Sequence, residues 1–353
     1  MQTQKVFVMN KTGDAGFKKR PIPEPGPNDA VVKTTIALVC TSDVHTLAGG
    51  LGEIIDKGLG HEAVGTVHKL GVAVKGYKVG DRVAVNAVTP CYRCADCQRG
   101  FPSQCGALLG GFKFVAQKDG NFAEYFHVND AEANLALIPD GVSDEAAAYA
   151  TDMMSTGFAA AENADIRLGD SIVIFGQGPV GLMATAGARL LGAGLIIAVD
   201  AIPHRLELAK EYGADVTINY KEQDVIEEVM KLTGGRGAHS SIEAIGAEES
   251  FISCFKVTRP GGTVSNIGYH SEGEFVKIPR VDWGMGMAQK TIKTHLCPGG
   301  NERMGRLLTL IKQGRVDPTK MSTHHFQFEE VPKAFEMMRT KEDKIIKPVI
   351  HFS

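Results

Sequence analysis

The stretch that most constrains this chain runs from Ser171 to Asp200, SIVIFGQGPVGLMATAGARLLGAGLIIAVD. Ile172-Val173-Ile174-Phe175 is an unbroken β-branched and aromatic run, of the kind found in a strand covered on both faces. Gly176, Gly178 and Gly181 follow in G-x-G-x-x-G spacing, with Gln177, Pro179 and Val180 between them. A helical segment comes next, and then a second apolar run, Leu195 to Val199, that ends in Asp200. Strand, glycine turn, helix, strand and acid in that order describe a βαβ unit built to take a dinucleotide. The first glycine allows the tight turn, the second lets backbone approach a pyrophosphate, and the third lets helix and strand pack closely. The helix N-terminus adds free N–H groups and partial positive charge. Pro179, the scattered glycines and Arg189 argue against a membrane span here.

Asp200 carries the cofactor expectation. A carboxylate at the end of the second strand can accept hydrogen bonds from a ribose diol and would repel a 2′-phosphate, so NAD is expected in preference to NADP. His204 and Arg205 are the nearby cations that could shift this balance.

Alternation continues beyond the unit. RLELAKEYGA, DVIEEVMKLT and SFISCFKVT read as helices between the strands DVTINY, HSSIEAIG and GGTVSNIGY. This is the rhythm of a doubly wound parallel sheet over residues 171 to about 295. The earlier part of the chain has a different grammar. KVFVMN, VVKTTIALV, GTVHKLG, DRVAVNAV and GNFAEYFHVND read as strands, with the Pro-rich PIPEPGPNDA as an extended connection, and predict an antiparallel, barrel-like domain. From Ser143, a plausible N-cap, the pattern turns helical through DEAAAYATDMMSTGFAAAENA, and Asp152 inside it must be paired, ligating or at a helix end. The tail, with helices ERMGRLLTLIKQG and VPKAFEMMRTK and a strand KPVIHF, lacks the βα rhythm and is expected to return to the first domain. Two domains suit a chain of 353 residues.

Four of the seven cysteines, Cys91, Cys94, Cys97 and Cys105, lie close together, two C-x-x-C steps sharing a thiol and a fourth thiol nearby. Four thiolates can close a tetrahedral, structural zinc site, which clustering in an intracellular chain favours over disulfides. A redox dithiol or an iron–sulfur cluster could use the same residues, but nothing else here suggests electron transfer. A second concentration of polar, metal-competent side chains runs Cys40-Thr41-Ser42-Asp43-Val44-His45, with His61-Glu62 further on. The formal net charge is −3 with no block of like charge, which argues against nucleic acid or a polybasic membrane surface as partner. The opening MQTQKVFVMN lacks the apolar core of a secretory signal, and a soluble cytoplasmic protein is expected.

G-H-E-A-V-G, C-T-S-D-x-H, the four-cysteine lobe and G-x-G-P-V-G, in this chain order, resemble the zinc-dependent medium-chain alcohol dehydrogenases. T-D-M-M-S-T-G, W-G-M-G-M-A and C-P-G-G are similar to segments of the microbial secondary-alcohol (isopropanol) dehydrogenases within that family. The resemblance runs nearly end to end. It implies a GroES-like antiparallel β-barrel catalytic domain (residues 1–152 and 297–353, with a structural-zinc lobe at about 91–105) around a Rossmann domain (153–296). It implies a catalytic zinc held by Cys40, His61 and Asp152, with Glu62 able to approach or bind it and Asp43 orienting the His61 imidazole. Ser42 and His45 would relay the alcohol proton to solvent, since an imidazole exchanges protons near neutral pH.

Further contacts are implied by resemblance alone. Gln177 to Gly181 would lie on the pyrophosphate, Arg205 near the adenine ribose, Ile267, Gly268 and Tyr269 near the nicotinamide, and Lys341 elsewhere on the cofactor. Leu51, Phe112, Met153, Tyr269 and Cys297 would line an apolar pocket suited to small secondary alcohols and ketones. Trp283 and Met287 fall near the family's subunit contact, which implies a homotetramer. NADP-using members carry a small residue, Ser and Arg where this chain has Asp200-Ala201-Ile202, and several lack the four-cysteine set. The expected activity is NAD-dependent, reversible oxidation of small secondary alcohols. The rivals are a polyol or amino-alcohol dehydrogenase of the same superfamily and a nucleotide-binding structural or regulatory protein without turnover.

Overall fold

The protein is described here by a computed structural model covering residues 2–271 and 273–353. The chain divides into two compact units, one formed by Met1–Ser155 with Cys297–Ser353 and one by Thr156–Leu296.

The N-terminal part contains β1 (Thr3–Lys11), β2 (Asp14–Pro21), β3 (Ala30–Leu38), α1 (Thr41–Leu47), β4 (Lys57–Gly58), β5 (Ala63–Leu70) and β6 (Arg82–Val85). It continues with α2 (Ala95–Gln98), β7 (Tyr125–Val128), α3 (Ala131–Asn134), β8 (Leu135–Leu137), α4 (Asp144–Ala148) and α5 (Met153–Asn163). Then come β9 (Ser171–Phe175), α6 (Pro179–Leu190), β10 (Leu195–Asp200), α7 (Pro203–Tyr212), β11 (Val216–Asn219), α8 (Val225–Leu232), β12 (Ala238–Glu243), α9 (Glu248–Val257), β13 (Thr258–Asn266) and β14 (Thr291–Thr294). The chain ends with α10 (Asn301–Lys312), β15 (Ser322–Gln327), α11 (Val331–Thr340) and β16 (Lys347–His351).

In the first unit, β1 pairs with β2 and β4, while a larger sheet runs β15-β16-β3-β5-β6-β8 with β7 also on β3. This is the GroES-like β architecture, and β15 and β16 add one parallel pair to its otherwise antiparallel ladders. Its core gathers Phe7 of β1, Val32 of β3 and Val85 of β6 with Leu59 and Phe122 of the connecting segments and Phe335 of α11. Phe335 meets Phe7 and Phe122 edge-on at 5.4 and 5.6 Å between ring centroids, so the C-terminal segment closes the core that the N-terminal strands begin. In the second unit all six strands are parallel, in the order β11-β10-β9-β12-β13-β14, a Rossmann sheet. Every residue of β9 is buried, as its unbroken apolar run requires.

One strand adds to the expected set and one local reading changes. Asp14–Pro21, DAGFKKRP, is an exposed edge strand whose partner β1 supplies the buried side chains. The helical stretch after Ser143 is broken. It runs as α4, a short 3₁₀ turn (Tyr149–Thr151), Asp152 in a non-helical conformation (φ −143°, ψ −74°), and α5. Ser143 does cap α4, its Oγ accepting from Ala146 N at 3.1 Å. Among the described residues, no helix is long and apolar enough to cross a membrane.

Phe335→Ala should destabilise the first unit by about 3–5 kcal/mol, the usual cost of emptying an aromatic site in a core. Urea unfolding followed by a probe in β1 checks this; a change below about 1 kcal/mol would mean that α11 is not part of that core.

Candidate active site and metal centres

Sheet register assembles the first cluster. Cys40 follows β3, His61 and Glu62 precede β5, and the two strands pair antiparallel with Ala37 opposite Ala63. Leu38 N donates to Glu62 O at 3.0 Å, fastening those two ends together. Ala87 N donates to Thr151 O at 2.9 Å, tying the break that carries Asp152 to the chain just beyond β6. Cys40, His61, Glu62 and Asp152 then present donor atoms that all lie within 4.8 Å of one another. His61 Nε2 is 3.3 Å from Asp152 Oδ2 and 3.7 Å from Glu62 Oε1.

Asp43, buried in α1, braces the cluster. Its Oδ2 accepts from Cys40 N at 2.9 Å and its Oδ1 lies 3.0 Å from His61 Nδ1. A carboxylate there holds the ring by Nδ1 and turns Nε2 towards Asp152 and Glu62. Burial alone would depress His61, but the Asp43 charge and the Asp152 hydrogen bond outweigh it and raise the imidazole well above its ordinary value. Burial would raise the Cys40 thiol, yet Lys347 and His61 bring it down to about 7. Ser42 Oγ is 3.3 Å from His61 Nε2, and His45 lies one turn further along α1, exposed.

Lys347 is the residue that the sequence reading missed. It opens β16, is fully buried, and its Nζ lies 2.8 Å from Glu62 Oε2 and 3.0 Å from Oε1, with hydrogen-bond geometry to Oε1. Burial of the ammonium is opposed by Glu62 and Cys40, which hold it in the charged form. The available signal was a lysine inside the apolar run Ile345-Ile346-Lys347-Pro348-Val349-Ile350, since a charge buried in such a run requires a partner.

Cys91, Cys94, Cys97 and Cys105 also converge, their sulfurs all within 4.8 Å of one another. Cys94 and Cys105 sulfurs are 4.0 Å apart, and Cys91 Sγ accepts from Cys94 N at 3.3 Å. Zinc–sulfur bonds of about 2.3 Å in a tetrahedron set sulfurs about 3.8 Å apart, so the spacing fits a closed ion site. Burial and the neighbouring thiols push Cys97 up to about 12, so these thiols cannot readily ionise together without a cation.

Of the residues expected to line a pocket, Phe112 packs edge-on against His61 at 5.4 Å, whereas Met153 is fully buried. Cys297 is buried too, with its sulfur 3.6 Å from Asn86 Oδ1 and 3.9 Å from Asp152 O. Leu51 and Tyr269 are exposed, Tyr269 in the second unit. Lys341 caps α11 in the first unit, its Nζ 3.3 Å from Thr41 Oγ1.

In the second unit the glycine turn has the geometry that its spacing requires. Gly176 has φ +87°, and a Cβ on Gly181 would stand 1.8 Å from Gly176 O. Gly178 is the N-cap of α6, with Pro179 and Val180 in its first turn. The Gln177 side chain is internal, donating to Ile174 O at 3.1 Å and accepting from Thr185 Oγ1 at 3.0 Å. Ile267 and Gly268 follow β13, and both donate backbone N–H groups to Glu243 O.

The family model described as Alcohol dehydrogenase GroES-like domain matches residues 26–140, and that described as Zinc-binding dehydrogenase matches residues 179–313. The NADP-dependent isopropanol dehydrogenase of Thermoanaerobacter brockii is 48% identical over 98% of this chain and 99% of its own length. A probable NADP-dependent isopropanol dehydrogenase of Mycoplasma pneumoniae is 46% identical over 99% of this chain and 100% of its own. The chain belongs to the zinc-dependent medium-chain alcohol dehydrogenases, in their isopropanol dehydrogenase subgroup. This dehydrogenase is an alcohol oxidoreductase. Its fold matches that of zinc dependent alcohol dehydrogenase 2 from Streptococcus pneumonia with a TM-score of 0.91 at 30% identity, covering 99% of both chains.

The comparisons correct one expectation. NAD was expected over NADP, but both relatives above are NADP-dependent by name, and this overturns the preference drawn from Asp200. The physical reason lies in the dehydrogenase's own turn. Asp200 Oδ2 accepts from Gln177 N at 2.7 Å, and Oδ1 accepts from Ala201 N at 2.7 Å and Ile202 N at 2.9 Å. Arg205 Nη1 stands 3.9 Å from Oδ2. The carboxylate is thus engaged by backbone donors and offset by a guanidinium, so its position at a strand end does not report the cofactor's phosphate.

Replacing Lys347 with Met should cost about 3–5 kcal/mol, because it leaves the Glu62 charge buried and uncompensated. Adding Glu62→Gln should restore most of that loss, as read from urea midpoints. A single variant as stable as the parent would remove Lys347 from this account.

Proposed function

We propose that the protein interconverts small secondary alcohols and ketones, using a zinc ion at Cys40, His61 and Asp152 and a nicotinamide dinucleotide. The observation that carries this reading is the convergence of those three donors and Glu62 within 4.8 Å, with Asp43 on His61 Nδ1 so that Nε2 faces the other donors. The donor set fits a divalent ion: one imidazole, one thiolate and two carboxylates, with Lys347 balancing part of the negative charge. When bound, zinc polarises the alcohol oxygen and lowers the pKa of its proton, and the nicotinamide accepts the hydride. Asp43 holds the His61 ring and the Cys40 backbone so that the ligand geometry is set before substrate arrives. Ser42 accepts the alcohol proton as its own hydroxyl proton passes onward towards His45, one turn along α1, which exchanges it with solvent. Phe112, against His61, supplies apolar wall. Glu62, held by Lys347, is a fourth donor in reserve.

The dinucleotide in this reading lies on the Gly176–Gly181 turn, and the relatives' names point to its 2′-phosphorylated form. Arg205 supports that form: its guanidinium is half-buried, and its Nε has no hydrogen-bond partner among the described residues. The four-cysteine lobe holds a second, structural zinc. Phe275, Val281, Trp283, Met285 and Met287 form an exposed apolar run in the second unit, which supports a homotetramer.

Initial rates over propan-2-ol, ethanol, threonine and sorbitol, each with NADP⁺ and NAD⁺, test the proposal. Propan-2-ol should exceed the others in kcat/KM by about tenfold or more, and Arg205→Ala should raise the KM for NADP⁺. Faster turnover of sorbitol or threonine would favour the polyol or amino-alcohol reading, and a preference for NAD⁺ would refute the role of Arg205. Cys40→Ala should abolish turnover and remove one zinc per chain while dinucleotide binding survives. Cys94→Ser should also remove one zinc, but its main effect should be a lower melting temperature. Unchanged zinc content in either variant would refute the corresponding site.

A further inference from the structure

The first unit brings together a third group of metal-competent side chains, remote in sequence from the other two. Glu145 lies in the first turn of α4, His325 in β15 and His351 at the end of β16, and their donor atoms all lie within 4.8 Å of one another. Sheet register makes the histidine pair. β15 and β16 run parallel with His325 opposite Val349 and Gln327 opposite His351, so the two imidazoles are diagonal neighbours on one face. His325 Nδ1 is 3.0 Å from His351 Nε2, and Glu145 Oε2 is 4.0 Å from His325 Nδ1. The neighbouring acid is otherwise occupied: Asp144 pairs with Arg82 and accepts from Thr35 Oγ1. Glu145 has no ion pair other than that with His325 among the described residues.

We propose that Glu145, His325 and His351 form a further metal site, which takes a borderline divalent transition ion such as zinc, nickel or copper. Nitrogen ligands about 2.0–2.1 Å from one zinc stand about 2.8–3.4 Å apart for angles between a right angle and the tetrahedral value. The imidazole separation, a hydrogen bond while no ion is bound, falls within that range, so an ion that displaces the shared proton needs little movement of the two rings. A half-buried glutamate closes the remaining distance by a change of rotamer. Two imidazoles and one carboxylate select such ions over magnesium or calcium, which prefer all-oxygen sets.

His325 is exposed and the other two residues are half-buried, so water completes the coordination and the ion exchanges with solvent. An occupied site clips α4 to the end of β16. The proposal does not depend on the catalytic reading, because none of its residues belongs to either of the other clusters.

The test uses the intact protein carrying its resident zinc, dialysed against micromolar free zinc and analysed for metal per chain. The parent should bind one equivalent more than His325→Gln/His351→Gln, and zinc should raise the melting temperature of the parent but not of the variant. Glu145→Gln should weaken this extra equivalent by about tenfold or more, the scale on which even the outer partners of metal ligands act. Equal uptake by parent and double variant would overturn the site, and unchanged affinity in Glu145→Gln would overturn the three-residue form of it. A measurement on the parent alone covers the case of a misfolded variant. Zinc should protect His325 and His351 from diethyl pyrocarbonate, mapped by peptide mass; equal labelling with and without zinc would overturn the proposal.

Discussion

A carboxylate with no exposed surface must be met by a cation, and in the first unit that requirement falls on Glu62. The cation is delivered by the far end of the chain. β16 pairs antiparallel with β3, placing Val349 opposite Leu38, and Val39 N donates to Pro348 O at 3.2 Å. Lys347 therefore arrives beside the end of β3 from which Cys40 departs, just where β5 begins after His61 and Glu62. One register decides all three approaches. A slip of one residue in β16 would turn Lys347 to the other face of the sheet and leave Glu62 without its counter-charge. The C-terminal segment is thus required chemically as well as for packing through Phe335.

In the second unit the same physics acts through backbone. Six parallel strands send the segments after β9, β10, β12 and β13 to one end of the sheet, where ligands of open α/β sheets bind. Two acids end strands there, and both serve the backbone first. Asp200 accepts three N–H groups from the turns that follow β9 and β10. Glu243, fully buried at the end of β12, accepts from Ile245 N, Gly246 N and Ser250 Oγ. Both acids fix the backbone of the loops at that end of the sheet. A carboxylate engaged in this way says little about which dinucleotide would enter.

This explains what could be read from the amino-acid order and what could not. The glycine turn was legible because its constraints are local and steric, and the four-cysteine lobe because its spacing is short. Both units were legible from their contrasting strand and helix rhythms. β2 was not, because an exposed edge strand carries no alternation of its own. The break at Asp152 was hidden by apolar residues on both sides that suit a helix equally well. Lys347 stood out as a charge in an apolar run, but its partner Glu62, and the pairing of His325 with His351 across 26 positions, could not be read because sheet register creates them. Asp200 misled for a related reason: its hydrogen bonds go to Gln177, 23 residues earlier, a partner that spacing alone does not announce.

The clusters differ in a way that bears on how firmly each would keep an ion. The cysteine lobe offers four sulfur donors and no position for substrate, the pattern of a permanent structural site. The Cys40 cluster combines anionic donors with a buried lysine, so emptying it would leave like charges facing one another in a poorly solvated place, a cost that opposes release of the ion. Glu145, His325 and His351 present one carboxylate and two imidazole donors close to water. An empty site there costs little, because the imidazoles satisfy one another at 3.0 Å. Charge and burial thus order the three groups from permanent to exchangeable, and that order follows from solvation of the donors.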